Sequence, residues 1–277
     1  MNEVKYNGWR SVTFSVPKLT KEDREIPYPA TKFFDQLAFI GTPAVCCFLL
    51  ETSAGLVLLD CMNPGQHYID IIEQGIKDLG HFPEELNAIM ITHGHGDHWG
   101  EAGYFKKKYG CKVYMNEIDY DFATHVPEQF PWKSLDYTMD GYLRDMEHYT
   151  FGNTVITVVH TPGHTPGSMS FLVPVTDEGR PHMLSIWGGA GVQAPSANVT
   201  EYLESVEKYK SVCRDFHVDC SVQTHPFIDN GILKLEIVRN IVRGVPNPFI
   251  IGDDGNEYFM DAMRASALNK RCQEKKE

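Results

Sequence analysis

The chain has 277 residues, 42% hydrophobic and 22% charged, which fits one large folded domain or two modest ones and excludes a disordered or fibrous protein. A formal net charge of −12, with no basic run longer than Lys106-Lys107-Lys108, disfavours nucleic acid or an anionic membrane as partner. Seven cysteines without framework spacing read as reduced thiols; the N-terminus has no apolar signal core and no run reaches membrane-span length, so a cytoplasmic protein is expected.

Residues 1–32 are polar and dotted with Pro17, Pro27 and Pro29, and read as an irregular N-terminal arm laid over a single domain spanning 33–277. From Phe33, three short apolar runs (35–40, 44–52, 56–60) separated by Gly, Pro and Ser turns predict an antiparallel meander. Asp60 ends the last and most aliphatic run. It is either a turn or cap residue or a carboxylate that holds a metal ligand. Residues 68–79 carry apolar side chains at helical spacing and stop at Gly80. Leu86 to Ile91 reads as a buried strand, 101–109 as a short amphipathic helix closed by Gly110, and 111–115 as another strand. This alternation predicts a layered α/β unit.

Residues 117–150 read as an irregular insert rich in aromatics, either packed inward or forming a lid over a substrate pocket. Strands are expected at 155–159, 169–175, 183–187 and 218–222, and helices at 199–211, 231–242 and 257–272. Asp253-Asp254-Gly255 reads as a turn. Trp99 and Trp187 flank the motif regions, as apolar walls or as core. Cys220, on the strand before His225, is expected to be buried.

The chemistry is concentrated at strand ends. Thr92-His93-Gly94-His95-Gly96-Asp97-His98 follows the strand at 86–91 and places three histidines and an aspartate within six residues. Neutral imidazoles and a carboxylate are metal ligands. In an extended segment residues i and i+2 point the same way, so His93 and His95 can share one ion, and the turn at Gly96 lets Asp97 and His98 swing toward a second. His164 sits in the rigid turn Pro162-Gly163-His164-Thr165-Pro166-Gly167, and His225 precedes Pro226 at another strand end. His160 is a candidate supporting residue more than a ligand.

The segments THGHGDHWG, TPGHTPGS and THPF, in this order, with the opening FIGT and FLLETSAGLVLLDC, resemble the metallo-β-lactamase superfamily over roughly residues 33–240. The resemblance implies a four-layer αββα sandwich with helices outside two facing sheets. It implies two zinc ions at one edge, the first held by His93, His95 and His164, the second by Asp97, His98 and His225. Many hydrolases of this superfamily place a bridging aspartate after the strand that follows the GHT turn. The matching stretch here, Ser185 to Gly191, has no carboxylate and no cysteine. The pattern therefore looks most like the third (B-three) subclass of metallo-β-lactamases. The implied activity is zinc-dependent opening of a cyclic amide such as a β-lactam by a metal-bound hydroxide, with Asp97 orienting the nucleophile and a small molecule as substrate. A lactonase or thioesterase of the same fold is the alternative. An iron redox enzyme on this fold is disfavoured because His95 is intact, and a non-catalytic scaffold because all six ligand positions are filled.

Overall fold

Short aliphatic and aromatic runs between tight turns form strands, and runs with apolar residues at helical spacing form helices. The computed structural model describes residues 20–126, 128, 130–192, 195–240 and 245–274. The strands are β1 (Tyr28–Phe34), β2 (Leu37–Gly41), β3 (Cys46–Thr52), β4 (Gly55–Leu59), β5 (Leu86–Met90), β6 (Lys112–Asn116), β7 (Gly141–Leu143), β8 (His148–Phe151), β9 (Thr154–His160), β10 (Met169–Asp177), β11 (Arg180–Ile186) and β12 (Cys220–Val222). The helices are α1 (Gln66–Asp78), α2 (Gly96–Trp99), α3 (Ala102–Tyr109), α4 (Glu117–Thr124), α5 (Val199–Asp215), α6 (Gly231–Arg239) and α7 (Gly252–Glu274).

The strands form two sheets, one in the order β1-β2-β3-β4-β5-β6-β7 and one in the order β12-β11-β10-β9-β8. Central strands are buried on both faces, and the layer each side chain enters follows the alternation along the strand. On β4, Val57 and Leu59 face the space between the sheets, packing with Val158, Phe171 and Ile186 of the opposite sheet. Leu56 and Leu58 face outward and are covered by Ile69, Ile72 and Ile76 of α1 and Phe105 of α3. On the other side Leu172 and Trp187 are covered by Tyr202, Val206 and Tyr209 of α5 and Met260 and Ala267 of α7. These three apolar layers define the expected αββα sandwich. Each fully buried Leu or Ile contributes about 1.5–3 kcal/mol relative to exposure.

Strand direction gathers the functional loops. β4, β5 and β6 run parallel in the first sheet, and β11 runs parallel to β12 and antiparallel to β10, as does β9. The loops after β4, β5, β9, β11 and β12 therefore open at one edge. Main-chain hydrogen bonds close that edge across the sheets, from Cys46 N to Thr224 O (2.8 Å) and from Met169 N to Thr92 O (2.8 Å).

Three expectations change. The arm is not irregular up to residue 32: a 3-10 turn at Asp23–Glu25 leads into β1, an edge strand paired antiparallel with β2. Residues 1–19 lie outside the described residues. The aromatic insert holds α4, capped by Asn116 Oδ1 accepting from Ile118 N, then β7 on one sheet and the start of β8 on the other. Asp253 and Asp254 are not a turn but the first turn of α7, where carboxylates complement the helix dipole.

Candidate metal centre

The loop after β5 runs from Thr92 into α2. His93, His95 and His98 are buried, at 1%, 4% and 0% exposure. His93, His95 and His164 offer ligand atoms within 4.8 Å of one another, and so do Asp97, His98 and His225. All six expected residues thus converge, in the two expected groups. In the first group the rings meet edge to face, with centroids 4.9 Å (His93–His95), 4.6 Å (His93–His164) and 4.7 Å (His95–His164) apart. In the second, His98 Nε2 lies 3.2 Å from His225 Nε2, and Asp97 reaches them at 3.7 and 3.5 Å. The groups adjoin through His93 and His98, whose centroids are 3.9 Å apart.

Hydrogen bonds select which ring nitrogen faces inward. His164 Nδ1 donates to Gly191 O (2.7 Å) and His225 Nδ1 to Ala44 O (2.8 Å). His98 Nδ1 donates to Asp60 Oδ2 (2.7 Å). Thr92 Oγ1 donates to the same oxygen (2.8 Å) and, with its lone pair, accepts from His93 Nδ1 (3.0 Å). Four imidazoles therefore carry their proton on Nδ1 and present a bare Nε2. His93 Nε2 is buried with no hydrogen-bond partner, a costly state for a polar atom and the one expected of a ligand nitrogen. His95 is held the other way round. Its Nε2 meets Ser196 Oγ at 3.0 Å, which leaves Nδ1 as its candidate donor. Three imidazoles, and two imidazoles with a carboxylate, are donor sets suited to zinc.

Electrostatics favour neutral imidazoles at His93, His95, His164 and His225, with His98 the exception. Burial and the neighbouring histidines push His93 well below the ordinary histidine range. Burial, with His164 alongside, lowers His95 to about 2, and burial lowers His164 to about 4. Burial raises the Asp97 carboxyl, but His98, His225 and His95 outweigh it and its pKa falls. Burial lowers His98, but Asp97 and Asp60 outweigh it and its pKa rises.

Asp60 is fully buried and adopts φ of 66°, a costly backbone for a residue with a side chain. Of its two sequence readings, the supporting carboxylate is the one seen. His160 belongs to neither group; its Nε2 donates to Pro166 O (3.0 Å) and braces the His164 turn. Trp99 and Trp187 are core, each spending its N–H internally, on Gly94 O (2.9 Å) and the Tyr202 hydroxyl (3.0 Å). The insert does reach the site: Phe130 and Trp132 lie 5.4 Å and Phe122 6.0 Å from the His95 ring. Phe227 stands at the other side, 5.4 Å from His225 and 54% exposed.

Sequence reasoning missed Ser196 and Asp119, neither of which belongs to a local motif. It also missed a third donor group, His182, Asp219 and Cys220, near the opposite ends of β11 and β12. Its atoms satisfy one another, His182 Nδ1 to Asp219 Oδ2 at 2.6 Å and Cys220 Sγ to Asp219 Oδ1 at 3.3 Å. That group reads as a cross-link between strands. A cavity of about 1080 Å³ beside it, lined by Phe33, Phe34, Asp177 and His182, contains none of the six convergent residues.

Two facing sheets inside two helical layers, with paired sets of metal-type donors on the loops of one edge, define the class of this protein. Residues 41–177 form a metallo-beta-lactamase superfamily domain, matched by that family's model. An uncharacterized protein of Bacillus subtilis (strain 168), YobT, is 33% identical over 136 residues, covering 46% of this chain and 56% of that one. An N-acyl homoserine lactonase of Bacillus sp is 27% identical over 168 residues, covering 51% and 62%. The chain thus spans 56–62% of the length of these curated relatives. Among solved structures, BJP-1, a subclass B3 metallo-beta-lactamase of Bradyrhizobium japonicum, superposes with a TM-score of 0.80 over 91% of this chain and 97% of its own, at 21% identity. At that identity the likeness is one of fold. No helix among the described residues is long and apolar enough to cross a membrane.

Proposed function

We propose that this protein is a zinc-dependent hydrolase that opens a cyclic amide such as a β-lactam. His93, His95 and His164 hold one zinc, and Asp97, His98 and His225 a second. When bound, the ions supply a Lewis acid for a carbonyl oxygen and lower the pKa of water to about 7. The chain's own part is to keep the ligand nitrogens bare, through Asp60, Thr92, Ala44 and Gly191, and to orient the nucleophilic water through the Asp97 carboxylate. Phe122, Phe130 and Trp132 beside His95 shield the site and offer an apolar face to the substrate.

The observation that carries the cyclic-amide reading is the end of β11. Gly188 and Gly189 stand where a bridging carboxylate would be sought. A Cβ at Gly189 would lie 2.5 Å from His164 Cβ, and one at Gly188 2.1 Å from Met169 O. No side chain fits there, so Asp97 is the sole carboxylate in the two groups. A lactonase is the second reading, favoured by the likeness to the Bacillus lactonase. Metal analysis and hydrolysis of a cephalosporin, an N-acyl homoserine lactone and a glutathione thioester separate them. The expected result is about two zinc ions per chain, with the cephalosporin turned over fastest and His93→Ala abolishing the activity. Hydrolysis undiminished in His93→Ala would sink the metal mechanism, and preference for the lactone would install the second reading.

A further inference from the structure

We propose that Asp119 is the positioning residue of the three-histidine group. Its carboxylate sets the spacing between the loop that carries His93 and His95 and the loop that carries His164. The role rests on the reading that this group holds a metal ion, but the contacts that define it do not.

Asp119 lies in the first turn of α4 and is fully buried, yet its carboxylate leaves its own helix unserved. Oδ2 accepts from Gly94 N (2.6 Å) and Thr165 Oγ1 (2.5 Å), and Oδ1 accepts from Gly167 N (2.7 Å). Gly94 sits between His93 and His95 on the loop that follows β5. Thr165 and Gly167 sit just beyond His164 on the loop that follows β9. One carboxylate therefore clamps two ligand loops that come from different sheets.

The closeness of the clamp is enforced. A Cβ on Gly94 would lie 2.9 Å from Asp119 O and 2.8 Å from the Phe122 ring. A Cβ on Gly167 would lie 2.6 Å from Asp119 N and 2.8 Å from Asp119 Oδ1. Asp119 thus crowds both glycines, joined by the Phe122 ring at Gly94 and by Asn116 Oδ1 (2.6 Å) at Gly167. A buried Ser168 hydroxyl completes the join, meeting Thr165 Oγ1 at 2.6 Å and Thr165 N at 3.1 Å. Asp97, His98 and His225 take no hydrogen bond from Asp119.

The chemistry of the donors makes the residue testable. Gly94 N–H and Gly167 N–H can only donate, and each faces its own carboxylate oxygen. An asparagine has a single acceptor, so Asp119→Asn must turn its NH2 against one of the two loops. Asp119→Ala releases both.

The first arm measures zinc affinity by chelator competition in two one-site backgrounds, His225→Ala to isolate the first group and His164→Ala to isolate the second. Asp119→Asn should weaken zinc roughly 10–100-fold in the first background, the usual effect of losing an outer hydrogen bond to a metal site, and far less in the second. Ile76→Ala, a cavity in the remote helical layer, should lower thermal stability and leave both affinities in place. The second arm needs no metal. Amide exchange in the metal-free full chain should quicken at Gly94 and Gly167 in Asp119→Ala, while the β5 amides keep their protection. Equal losses at the two groups, or unchanged affinity with unchanged exchange, would overturn the assignment. Absence of zinc binding by the wild-type chain would instead defeat the proposed function, and the exchange arm would still decide the clamp.

Discussion

Asp60 reaches one histidine of each metal-type group, directly for His98 and through the Thr92 hydroxyl for His93. Its other oxygen accepts from Thr92 N at 2.7 Å. Both oxygens therefore face groups that donate, at a fully buried position. Asp60→Asn must direct its NH2 at one of them. Aimed at His98 Nδ1, it forces the imidazole proton onto Nε2 and removes the lone pair that would bind metal. Aimed at Thr92 N–H, it leaves two donors facing each other. Expected are a loss of roughly 10–100-fold in zinc affinity and about 1–3 kcal/mol of stability from the unpaired buried group. Chelator competition and urea unfolding check the two effects. Zinc retained as in wild type would show that the tautomer is set elsewhere.

At the scale of elements, the turn after β11 does the most to fix the character of the site, because Gly189 is packed against His164 itself. Gly189→Ala forces the His164 side chain away by overpacking, at about 1–3 kcal/mol, and should cost zinc affinity at least as much as stability. Gly179, in the turn between β10 and β11 at the far edge, is a control with the opposite signature. It has open space around it but φ of +75°, so Gly179→Ala strains the backbone, lowers stability and leaves zinc affinity alone. If both variants lost zinc in proportion to stability, the contact at Gly189 would have no special role. The elements that carry the site were legible for a local reason. Val57 to Leu59 is a continuous apolar run, Leu86 to Ile91 and Val155 to Val159 are broken only by Asn87 and Thr157, and Asp60, the His93 loop and the His164 turn follow at their ends. β7 was hidden because three residues, Gly141 to Leu143, show no alternation. β1 was hidden by Pro27 and Pro29, which an edge strand tolerates.

The whole molecule was legible where its logic is local and illegible where partners are distant. The His93 to His98 cluster sits within one loop, whereas Asp119 meets Gly94 and Gly167 across sequence separations of 25 and 48. Folding drives these imidazoles together and out of water, with a consequence for the entire chain. His164 titrates near 4 when folded against 6.5 as a free side chain, and His95 near 2. Between those limits the unfolded chain binds more protons than the folded one, so stability rises with pH across the window. The contribution is complete above about pH 6.5 and is lost as pH falls toward 4 for His164 and toward 2 for His95. His164 alone accounts for about 3 kcal/mol. His98 acts in the opposite sense, because Asp97 and Asp60 raise it above its ordinary value; its stabilisation is present at low pH and fades as pH rises through that value. Four depressed imidazoles, His93, His95, His164 and His225, outweigh the raised His98 and the Asp119 carboxyl that burial lifts to about 6, so the net slope is positive. Zinc at the proposed site would steepen it, because the ion binds only deprotonated ligands and protons compete for the same nitrogens. The urea midpoint of the metal-free protein should therefore fall as pH drops from 6.5 to 4. The extra stability conferred by zinc at neutral pH should shrink across the same interval. A midpoint flat through that window would mean that the histidines are solvated, and the buried donor groups would lose their electrostatic basis.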